Sequence, residues 1–297
     1  MTKVLVIGKS GFISLSFQKY MMNFGNNYVI DVISSRNRKW ENFSFSGYDT
    51  VFNASGLAHT NARNGSEEEY YEVNGDLPGE LAAKAKLEGV HHFITMSSMN
   101  VYGDMANIGV SKCITDSTVP NTQSIYGKSK LMGETAVKKL EDDNFKVAII
   151  RPPLVFSEYA PDNFGILLKI AVLFPVFPNI RNNQSMIYVD NLCELVRLII
   201  DNHISGIFYP QEKEYIHTST LVKDIAIQAG HKILMTEIFN SALMVLSKDI
   251  SIVRKAFGNL TYHPSISNHF NWNYCVVDYK TAVKRMAEHH GSVKKCK

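Results

Sequence analysis

The sequence has few of the features that mark secreted, metal-binding or polyanion-binding proteins. Its four cysteines are far apart in 297 residues, and none belongs to a C-x-x-C motif, so neither a zinc site nor a disulfide framework is predicted. Lys and Arg outnumber Asp and Glu by 31 to 28, which gives a formal net charge of +3. This balance is too small to favour nucleic acid. We therefore expect free thiols, no metal and no nucleic-acid partner.

Long hydrophobic runs are also absent. The most apolar stretch, residues 164–177, is interrupted by Lys169 and Pro175 and is too short to cross a bilayer. Its aromatic residues Phe174 and Phe177 are interpreted as core rather than as a membrane anchor. Residues 3–8 at the start of the chain read as a strand and a turn instead of a signal peptide. A cytoplasmic protein with no membrane partner is expected.

Short apolar strands alternate with helical segments through the first half of the chain. A hydrophobic fraction of 45% and a charged fraction of 20% are ordinary for a globular protein with a large core. The predicted strands are 4–7, 28–34, 50–54, 92–97 and 146–150, and the predicted helices are 12–23, 80–88 and 128–140. Strands that are apolar throughout and alternate with helices predict an α/β fold with a doubly wound parallel sheet.

The pattern becomes less regular after Pro153. Helices are predicted at 163–173, 191–202 and 220–229, with a short strand at 206–209 and loops rich in Asn, Pro and His. We interpret this half as a smaller, irregular substrate lobe at the carboxyl edge of the sheet, where such lobes close over ligands. The predicted domains are 1–155 for nucleotide binding and 156–297 for substrate binding, with some segments returning to the core.

The first chemical motif, residues 8–14, lies between the first strand and the first helix. Gly8 and Gly11 allow a tight turn and let the backbone approach a pyrophosphate at the helix N-terminus. Two glycines alone fit a simple turn equally well, but their position after the first strand favours dinucleotide binding.

Two further motifs carry groups that can exchange protons. Tyr126 and Lys130 are spaced to share one face of a helix, and a nearby ammonium lowers the pKa of a tyrosine. Residues 97–103 follow a strand, where a serine hydroxyl can bind a reacting oxygen. Taken separately, the Tyr-x-x-x-Lys spacing can arise by chance, and each serine fits an ordinary strand end.

Together and in this order, the three motifs resemble the extended short-chain dehydrogenase/reductases, in particular the NAD-dependent epimerase/dehydratase family. The resemblance is strongest to the branch of nucleotide-sugar 4-epimerases and 4-ketoreductases of surface-polysaccharide synthesis, and it implies a Rossmann-like sheet. Further segments that carry it are 53–57, 73–74, 151–156, 163–164 and 187–191.

The resemblance assigns roles residue by residue. Ser98 matches the hydroxyl that binds the sugar C4 oxygen, Tyr126 the general acid/base, and Lys130 the residue that binds the nicotinamide ribose and tunes the tyrosine. The implied cofactor-binding positions are Gly8, Ser10, Gly11, Phe12, Ile13, Ser34, Arg36, Ala54, Ser55, Gly56, Asn74, Lys130 and Pro153. The implied substrate-binding positions are Ser98, Asn100, Asn163, Arg181 and Arg254. A homodimer through the helices at 80–88 and 126–140 is also implied.

The end of the second predicted strand departs from the family pattern and bears on the cofactor. Many members carry an acidic residue there for the adenosine ribose, whereas this sequence has Ser34, Ser35 and Arg36, and Asp31 comes too early. Two hydroxyls and a guanidinium suit a 2′-phosphate. NADP(H) is therefore favoured and NAD(H) stays possible; the alternative is a loop arginine directed into water.

Two other departures concern adenine and the substrate phosphates. The segment 38–49 is shorter than the strand that holds adenine in the family, so that contact is unassigned. The family arginine that neutralises substrate phosphate is replaced by Gln184. Arg181 and Arg254 are the candidate replacements.

The residues after Ser98 narrow the reaction. Dehydratases of the family carry an Asp-Glu pair there, and Met99 and Asn100 cannot transfer protons, so a 4,6-dehydratase is not expected. A 4-ketoreductase that exchanges NADPH is preferred because of Ser34 and Arg36. A 4-epimerase with tightly bound NAD and a non-catalytic nucleotide-binding relative are the alternatives.

Overall fold

The computed structural model describes residues 1–57 and 66–293, except for the side chains of residues 162, 163 and 290–293. Two compact units make up the chain. The first consists of Met1–Gly103, Val119–Pro153 and Val189–Pro210, and the second of Asp104–Thr118, Leu154–Tyr188 and Gln211–Lys297. The division into domains 1–155 and 156–297 stays a prediction. The units cross it at Asp104–Thr118 and at Val189–Pro210.

A six-stranded parallel sheet forms the centre of the first unit, which confirms the predicted Rossmann-like doubly wound α/β class. Its strands are β1 (Thr2–Ile7), β2 (Tyr28–Ile33), β3 (Thr50–Asn53), β4 (His92–Met96), β6 (Lys146–Ile150) and β10 (Gly206–Phe208). Their order across the sheet is β10-β6-β4-β3-β1-β2. Because β2 and β3 pair with opposite sides of β1, the order in which strands are added to the sheet reverses there. Ligands of such sheets bind at the carboxyl ends beside this switch.

Helices cover the sheet of the first unit. They are α1 (Phe12–Met21), α2 (Glu67–Tyr70), α3 (Leu77–Leu87), α4 (Ile125–Lys138) and α6 (Val189–Asn202), with a π-helical turn at Tyr71–Asp76. The side chains from Val4 to Ile7 in β1 are fully buried, since a central parallel strand meets helices on both faces. On one side, Leu81 of α3 and Val137 of α4 pack against Phe93 and Val147 of the sheet.

Two elements expected in the irregular lobe belong to the first unit instead. The strand predicted at 206–209 is β10, and it extends the central sheet because Gly206–Phe208 pairs in parallel with Ala148–Ile150. The helix predicted at 191–202 is α6, which packs on α1 through a hydrogen bond from Tyr20 Oη to Glu194 Oε2 (2.9 Å). The sequence predicted that some segments of this half return to the core but did not identify them, because local periodicity does not show which strand a segment pairs with.

The second unit is built from three short parallel strand pairs and helices. Its strands are β5 (Cys113–Ile114), β7 (Leu154–Phe156), β8 (Val176–Pro178), β9 (Met186–Tyr188), β11 (Leu234–Thr236) and β12 (Thr261–Tyr262). The pairs are β7 with β9, β8 with β11 and β5 with β12. Its helices are α5 (Asp162–Leu173), α7 (Thr218–Gln228), α8 (Asn240–Leu246), α9 (Ser251–Phe257), α10 (Pro264–Ser267) and α11 (Tyr279–Val293).

The aromatic pair after α5 has two different environments. Phe177 is 4% exposed, as expected of a core residue, but Phe174 is 55% exposed. The expectation of a core Phe174 was wrong because the residue leaves α5 with an extended backbone (φ −96°, ψ 136°). Within the described part of the chain, no helix is both long and apolar enough to span a membrane.

Candidate active site

The turn between β1 and α1 places backbone groups at the switch point of the sheet. Gly8 has φ +120°, and its amide donates to the carbonyl of Ile33 at the end of β2 (2.9 Å). A Cβ on Gly8 would lie 3.0 Å from the amide nitrogen of Ser55, so the loops after β1 and β3 approach closely only because this residue is glycine.

The first turn of α1 has the character of an anion site. Gly11 is the N-cap and supplies no side-chain cap, and no acidic residue lies in the first turn. The first amides of a helix have no partners within the helix and attract negative charge. Ser10, Phe12 and Ile13 lie at this helix start, as predicted for a pyrophosphate-binding turn.

The loop after β3 approaches the lysine of α4. A Cβ on Gly56 would lie 2.7 Å from Lys130 Nζ and 3.0 Å from Asn74 Oδ1. Asn74 itself clamps this loop, because its Oδ1 accepts from the amide of Leu57 (2.9 Å) and its Nδ2 donates to the carbonyl of Leu57 (3.1 Å). Its amide group therefore positions the loop.

The small residues before Gly56 are held by Asn53 at the end of β3. Asn53 Oδ1 accepts from both the amide (3.1 Å) and the hydroxyl of Ser55. The amide of Ala54 donates to the carbonyl of Ile7 (3.0 Å). These bonds fix Ala54 and Ser55 beside the end of β1.

The proposed proton-transfer residues come together at the carboxyl end of β4. Ser98 follows β4 and caps the 3₁₀ turn Met99–Tyr102, with its hydroxyl accepting from the amide of Asn100 (3.2 Å). Tyr126 lies in the first turn of α4, whose N-cap Ser124 accepts from the amide of Gly127 (3.1 Å). A hydrogen bond joins the side chains of Ser98 and Tyr126.

Tyr126 holds its proton more strongly than the sequence indicates. Burial raises the pKa of Tyr126, and the hydrogen bond from Ser98 opposes that rise. The ring also meets Tyr70 edge to face at 6.3 Å between centroids. The expectation that Lys130 leaves Tyr126 with a lowered pKa is wrong for this structure, because desolvation outweighs stabilisation of the tyrosinate.

Lys130 is a buried cation beside these groups. It is 7% exposed, and its Nζ donates to the carbonyl of Met96 at the end of β4 (3.0 Å). Burial lowers the pKa of Lys130 to about 8, while the Glu134 carboxylate one helical turn further along α4 acts in the opposite direction. Lys130 therefore keeps its charge at neutral pH and loses it as the pH rises through about 8.

A buried ion pair lies next to Lys130. Arg151 donates from Nε to Glu134 Oε1 (2.9 Å), and the Ser97 hydroxyl donates to the same oxygen. Arg151 Nη1 also donates to the Tyr102 hydroxyl (2.6 Å). These bonds fix the Glu134 carboxylate one helical turn from Lys130. Removing one partner of such a pair would leave an uncompensated buried charge.

Glu134 and Arg151 have no role predicted from the sequence. The available signal was weak but physical: Glu134 follows Lys130 by four residues, and Arg151 comes directly after an apolar strand. Charged residues are almost never fully buried unless they are paired. Pairing them from sequence alone requires knowing that α4 covers the end of β6.

Two glycines of α4 allow the helix to sit close to the site. A Cβ on Gly127 would lie 2.6 Å from the carbonyl oxygen of Asn100, and a Cβ on Gly133 would collide with the carbonyl oxygen of Asn74. Glycine inside a helix costs about 1 kcal/mol relative to alanine. This packing explains their presence, which the motifs in the sequence do not indicate.

The residues predicted to bind the 2′-phosphate of NADP(H), Ser34 and Arg36, follow the end of β2. Ser34 Oγ accepts from the amide of Arg36 (3.1 Å), and the side chain of Arg36 is exposed. Asp31 lies within β2 and accepts from the Tyr48 hydroxyl (2.7 Å). The acidic group of this strand is therefore already bound two residues before the strand ends.

The remaining predicted positions lie at the edge of the first unit or in the second. Pro153 is the buried end of a segment of the first unit, and the carbonyl of Pro152 accepts from the amide of Met99 (2.9 Å). Asn163 lies in α5, and its side chain is outside the described part of the structure. Arg181 is exposed in the second unit.

Arg254 and Gln184 make contacts inside the second unit. Arg254 Nη1 donates to the carbonyls of Ser247 (3.2 Å) and Lys248 (3.1 Å). Gln184 Nε2 donates to three carbonyls between residues 255 and 258, the shortest being that of Gly258 (3.1 Å). Over residues 1–57 and 66–293, no three His, Cys, Asp or Glu side chains form a metal site.

The groups of the first unit fit a dinucleotide. The uncapped N-terminus of α1 suits a pyrophosphate. A Cβ on Gly8 or on Gly56 would fill the space beside that residue, and Lys130 borders the space beside Gly56. Ser98 and Tyr126 supply a pair of hydroxyls at the end of β4.

Two curated proteins are similar in sequence to part of this chain. The chain is 29% identical over 164 residues to a UDP-glucose 4-epimerase of Vibrio cholerae, covering 53% of this chain and 49% of the relative. It is 27% identical over 172 residues to an N-acetyl-alpha-D-glucosaminyl-diphospho-ditrans,octacis-undecaprenol 4-epimerase of Escherichia coli O157:H7, covering 55% and 50%. The matched region thus spans about half the length of these curated relatives.

The fold is also shared with solved structures. A dTDP-4-dehydrorhamnose reductase of Clostridium acetobutylicum superposes with a TM-score of 0.75 at 17% identity, covering 99% of this chain and 100% of that one. At this identity the likeness concerns the fold. The model of the NAD dependent epimerase/dehydratase family matches residues 4–207, so the chain belongs to that family.

Proposed function

We propose that the protein is an NAD(P)-dependent oxidoreductase that acts at C4 of a nucleotide sugar, specifically a 4-ketoreductase of a 4-keto-6-deoxy sugar nucleotide in surface-polysaccharide synthesis. The observation that carries the proposal is that three side chains converge at the carboxyl end of β4. Lys130 Nζ donates to the carbonyl of Met96, the last residue of that strand (3.0 Å). Ser98 caps the turn that follows the strand and acts on Tyr126. The proposal covers UDP- and dTDP-linked sugars and does not choose between the two nucleotides.

The roles of the residues follow from their charge states. A bound nicotinamide supplies the hydride that adds to the C4 carbonyl carbon. The Ser98 hydroxyl donates to the C4 oxygen and holds it next to Tyr126. Because its pKa is raised, Tyr126 carries a proton at neutral pH and transfers it to that oxygen, so hydride and proton together convert the ketone to a secondary alcohol.

Lys130 has two roles in the proposal. Its ammonium binds the nicotinamide ribose at the surface beside Gly56, and its charge stabilises Tyr126 after the proton has left. NADP(H) is the favoured cofactor, because Ser34 and Arg36 follow β2 in place of a carboxylate; NAD(H) is the alternative.

The test is reduction of dTDP- and UDP-linked 4-keto-6-deoxyhexoses with NADPH by the purified protein. Tyr126→Phe removes the proton donor and is expected to lower kcat by about 10²–10⁴-fold, while NADPH binding is retained. Tyr215→Phe removes a hydroxyl in the second unit and serves as the matched control. Unchanged turnover by Tyr126→Phe would refute the catalytic assignment. A wild-type protein that binds NADPH but reduces none of these substrates would favour a non-catalytic nucleotide-binding protein.

A 4-epimerase is the second candidate, because both curated relatives are named 4-epimerases. The same three residues would then remove and return the C4 hydride through a tightly held NAD. Nicotinamide that co-purifies with the protein, together with conversion of a UDP-hexose without added cofactor, would establish this reaction and rule out the reductase.

The assembly and location are proposed from the same family relationship. A homodimer would form through α3 and α4, which expose the apolar residues Leu87 (87%) and Met132 (40%). The free cysteines Cys113, Cys193 and Cys275 fit the reducing conditions of the cytoplasm. Sedimentation velocity of Met132→Glu, expected to be monomeric, tests the dimer.

A further inference from the structure

The second unit exposes an unusual concentration of large apolar side chains. Leu173, Phe174, Pro175 and Val176 form four consecutive exposed apolar residues, a pattern that folded proteins avoid unless it serves a function. A second stretch between residues 234 and 252 exposes Leu234, Ile238, Phe239, Met244, Val245, Leu246, Ile250 and Ile252. Among the described residues of the first unit, no two exposed large apolar residues are adjacent in the sequence.

The two stretches meet in the β8–β11 strand pair. Val176 is paired with Leu234 and Phe177 with Met235, and paired residues of neighbouring strands share a face. Phe177 is buried against Phe257, with ring centroids 5.6 Å apart. The opposite face therefore turns Val176 (38% exposed) and Leu234 (65% exposed) to the solvent.

Helix α8 continues this exposed face. The amide of Asn179 donates to the carbonyl of Thr236 (2.8 Å), and Asn240 Nδ2, at the start of α8, donates to the carbonyl of Asn179 (2.9 Å). The helix start is thus tied to the strand pair. No residue of Asn240–Leu246 is buried, and Val245 is 63% exposed. This short helix therefore presents apolar side chains to the solvent and contributes no fully buried residue to the core.

Lysines border the apolar residues. Lys169 precedes Leu173 by one helical turn, and Lys232 and Lys248 lie two residues from Leu234 and Leu246. All three lysines are exposed. The exposed carboxylates in the same segments are Glu237 and Asp249, so the border is positive on balance.

We propose that this face, defined by residues 173–176 and 234–252, docks on the surface of an anionic lipid bilayer. Apolar side chains would enter the headgroup region, and the lysine stems would lie along it with their ammonium groups at the lipid phosphates. Charge favours this occupant over a second copy of the chain, because a second copy would bring a border of the same positive sign, whereas anionic headgroups bring the opposite sign. Hydride transfer does not need this face.

The test is co-sedimentation of the full chain with phosphatidylcholine vesicles that contain or lack phosphatidylglycerol. The double variant Leu234→Ser/Ile238→Ser removes two outward apolar side chains and should weaken binding about tenfold or more. Met22→Ser, a 78% exposed site in the first unit, is the matched control. Binding should require phosphatidylglycerol and weaken with salt, and Lys169→Glu/Lys232→Glu should remove that salt dependence.

Several results would overturn the docking proposal while leaving the proposed function intact. Equal sedimentation of the wild-type protein and the Leu234→Ser/Ile238→Ser variant would show that the face does not bind lipid, as would no binding to either vesicle. A lipid-free dimer that the double variant abolishes would assign the face to a second copy of the chain. NADPH-dependent turnover of a soluble substrate should stay unchanged in the Leu234→Ser/Ile238→Ser variant. If neither the wild-type protein nor any variant shows such turnover, the proposed function is contradicted instead.

Discussion

At the residue scale, the chemistry depends on two side chains whose proton affinities move in opposite directions. Burial raises the pKa of Tyr126 and lowers the pKa of Lys130 to about 8. Near neutral pH, Tyr126 therefore carries its phenolic proton and Lys130 carries its charge, which is the combination that ketone reduction requires. The buried Glu134–Arg151 pair adds a carboxylate next to Lys130, and this opposes the loss of the lysine proton.

The pH dependence of reduction follows from Lys130. Below pH about 8 the ammonium is present, and above it the charge is lost, so kcat/KM for the sugar should fall as the pH rises through that value. Glu134→Gln removes the carboxylate that raises the pKa of Lys130, and the fall should begin at lower pH. A profile that stays flat above this pH in the wild-type protein, or a limb that Glu134→Gln does not move, would contradict the role given to Lys130.

Lys130 also links pH to folding stability. Its folded pKa lies below the unfolded value, so keeping it charged in the core destabilises the fold at low pH, and that cost disappears as the pH rises from about 8 towards the unfolded value of 10.5. Lys130→Met removes this contribution. Urea unfolding at two pH values on either side of pH 8 should show a smaller increase in stability for the variant than for the wild-type protein.

At the element scale, α4 carries most of the site and is positioned by glycines. Gly133→Ala would force a Cβ against the carbonyl oxygen of Asn74, which holds the loop after β3. Overpacking of this kind costs about 1–3 kcal/mol, and we expect that loss in urea unfolding together with weaker NADPH binding. Gly165→Ala in α5, where the nearest atom would be 3.2 Å away, should be less affected. Equal stability of the two variants would contradict the account of α4.

The sequence predicted the bounds of helices and strands better than the contacts between them. The strand at 146–150 has the predicted bounds, and α1, α5 and α7 differ from their predicted ranges by at most two residues at each end, because apolar periodicity and turn residues are local signals. The pairing of β10 with β6, the short pair of β7 and β9, and the Glu134–Arg151 contact join residues far apart in the chain. No local pattern contains that information, so the ion pair beside Lys130 was missed.

At the scale of the whole molecule, the small net charge of +3 does not show that the basic residues fall into groups with different roles. Arg38 is committed to Glu41 and Glu80, at 2.5 and 3.0 Å, whereas Arg36 lies beside Ser34 and is exposed. The proposal assigns the 2′-phosphate of NADPH to Arg36. The lysines that border the exposed apolar face of the second unit are a third group.

Cofactor choice tests this division of charges. Arg36→Ser removes a charge-assisted contact to a phosphate and should raise KM for NADPH about tenfold with little change for NADH. Arg38→Ser, which removes a cation already paired within the protein, is the control and should leave the ratio of the two KM values unchanged. An unaltered ratio in Arg36→Ser would place the 2′-phosphate elsewhere.

The most direct test of the central claim follows the hydride itself. The purified protein is incubated with NADPH deuterated at the transferable C4 position of the nicotinamide and with a dTDP- or UDP-linked 4-keto-6-deoxyhexose, and the product is analysed by mass spectrometry and NMR. We predict one deuterium at C4 of the sugar for each NADPH oxidised. A sugar product without deuterium, or conversion of a UDP-hexose without any added cofactor, would contradict the 4-ketoreductase account.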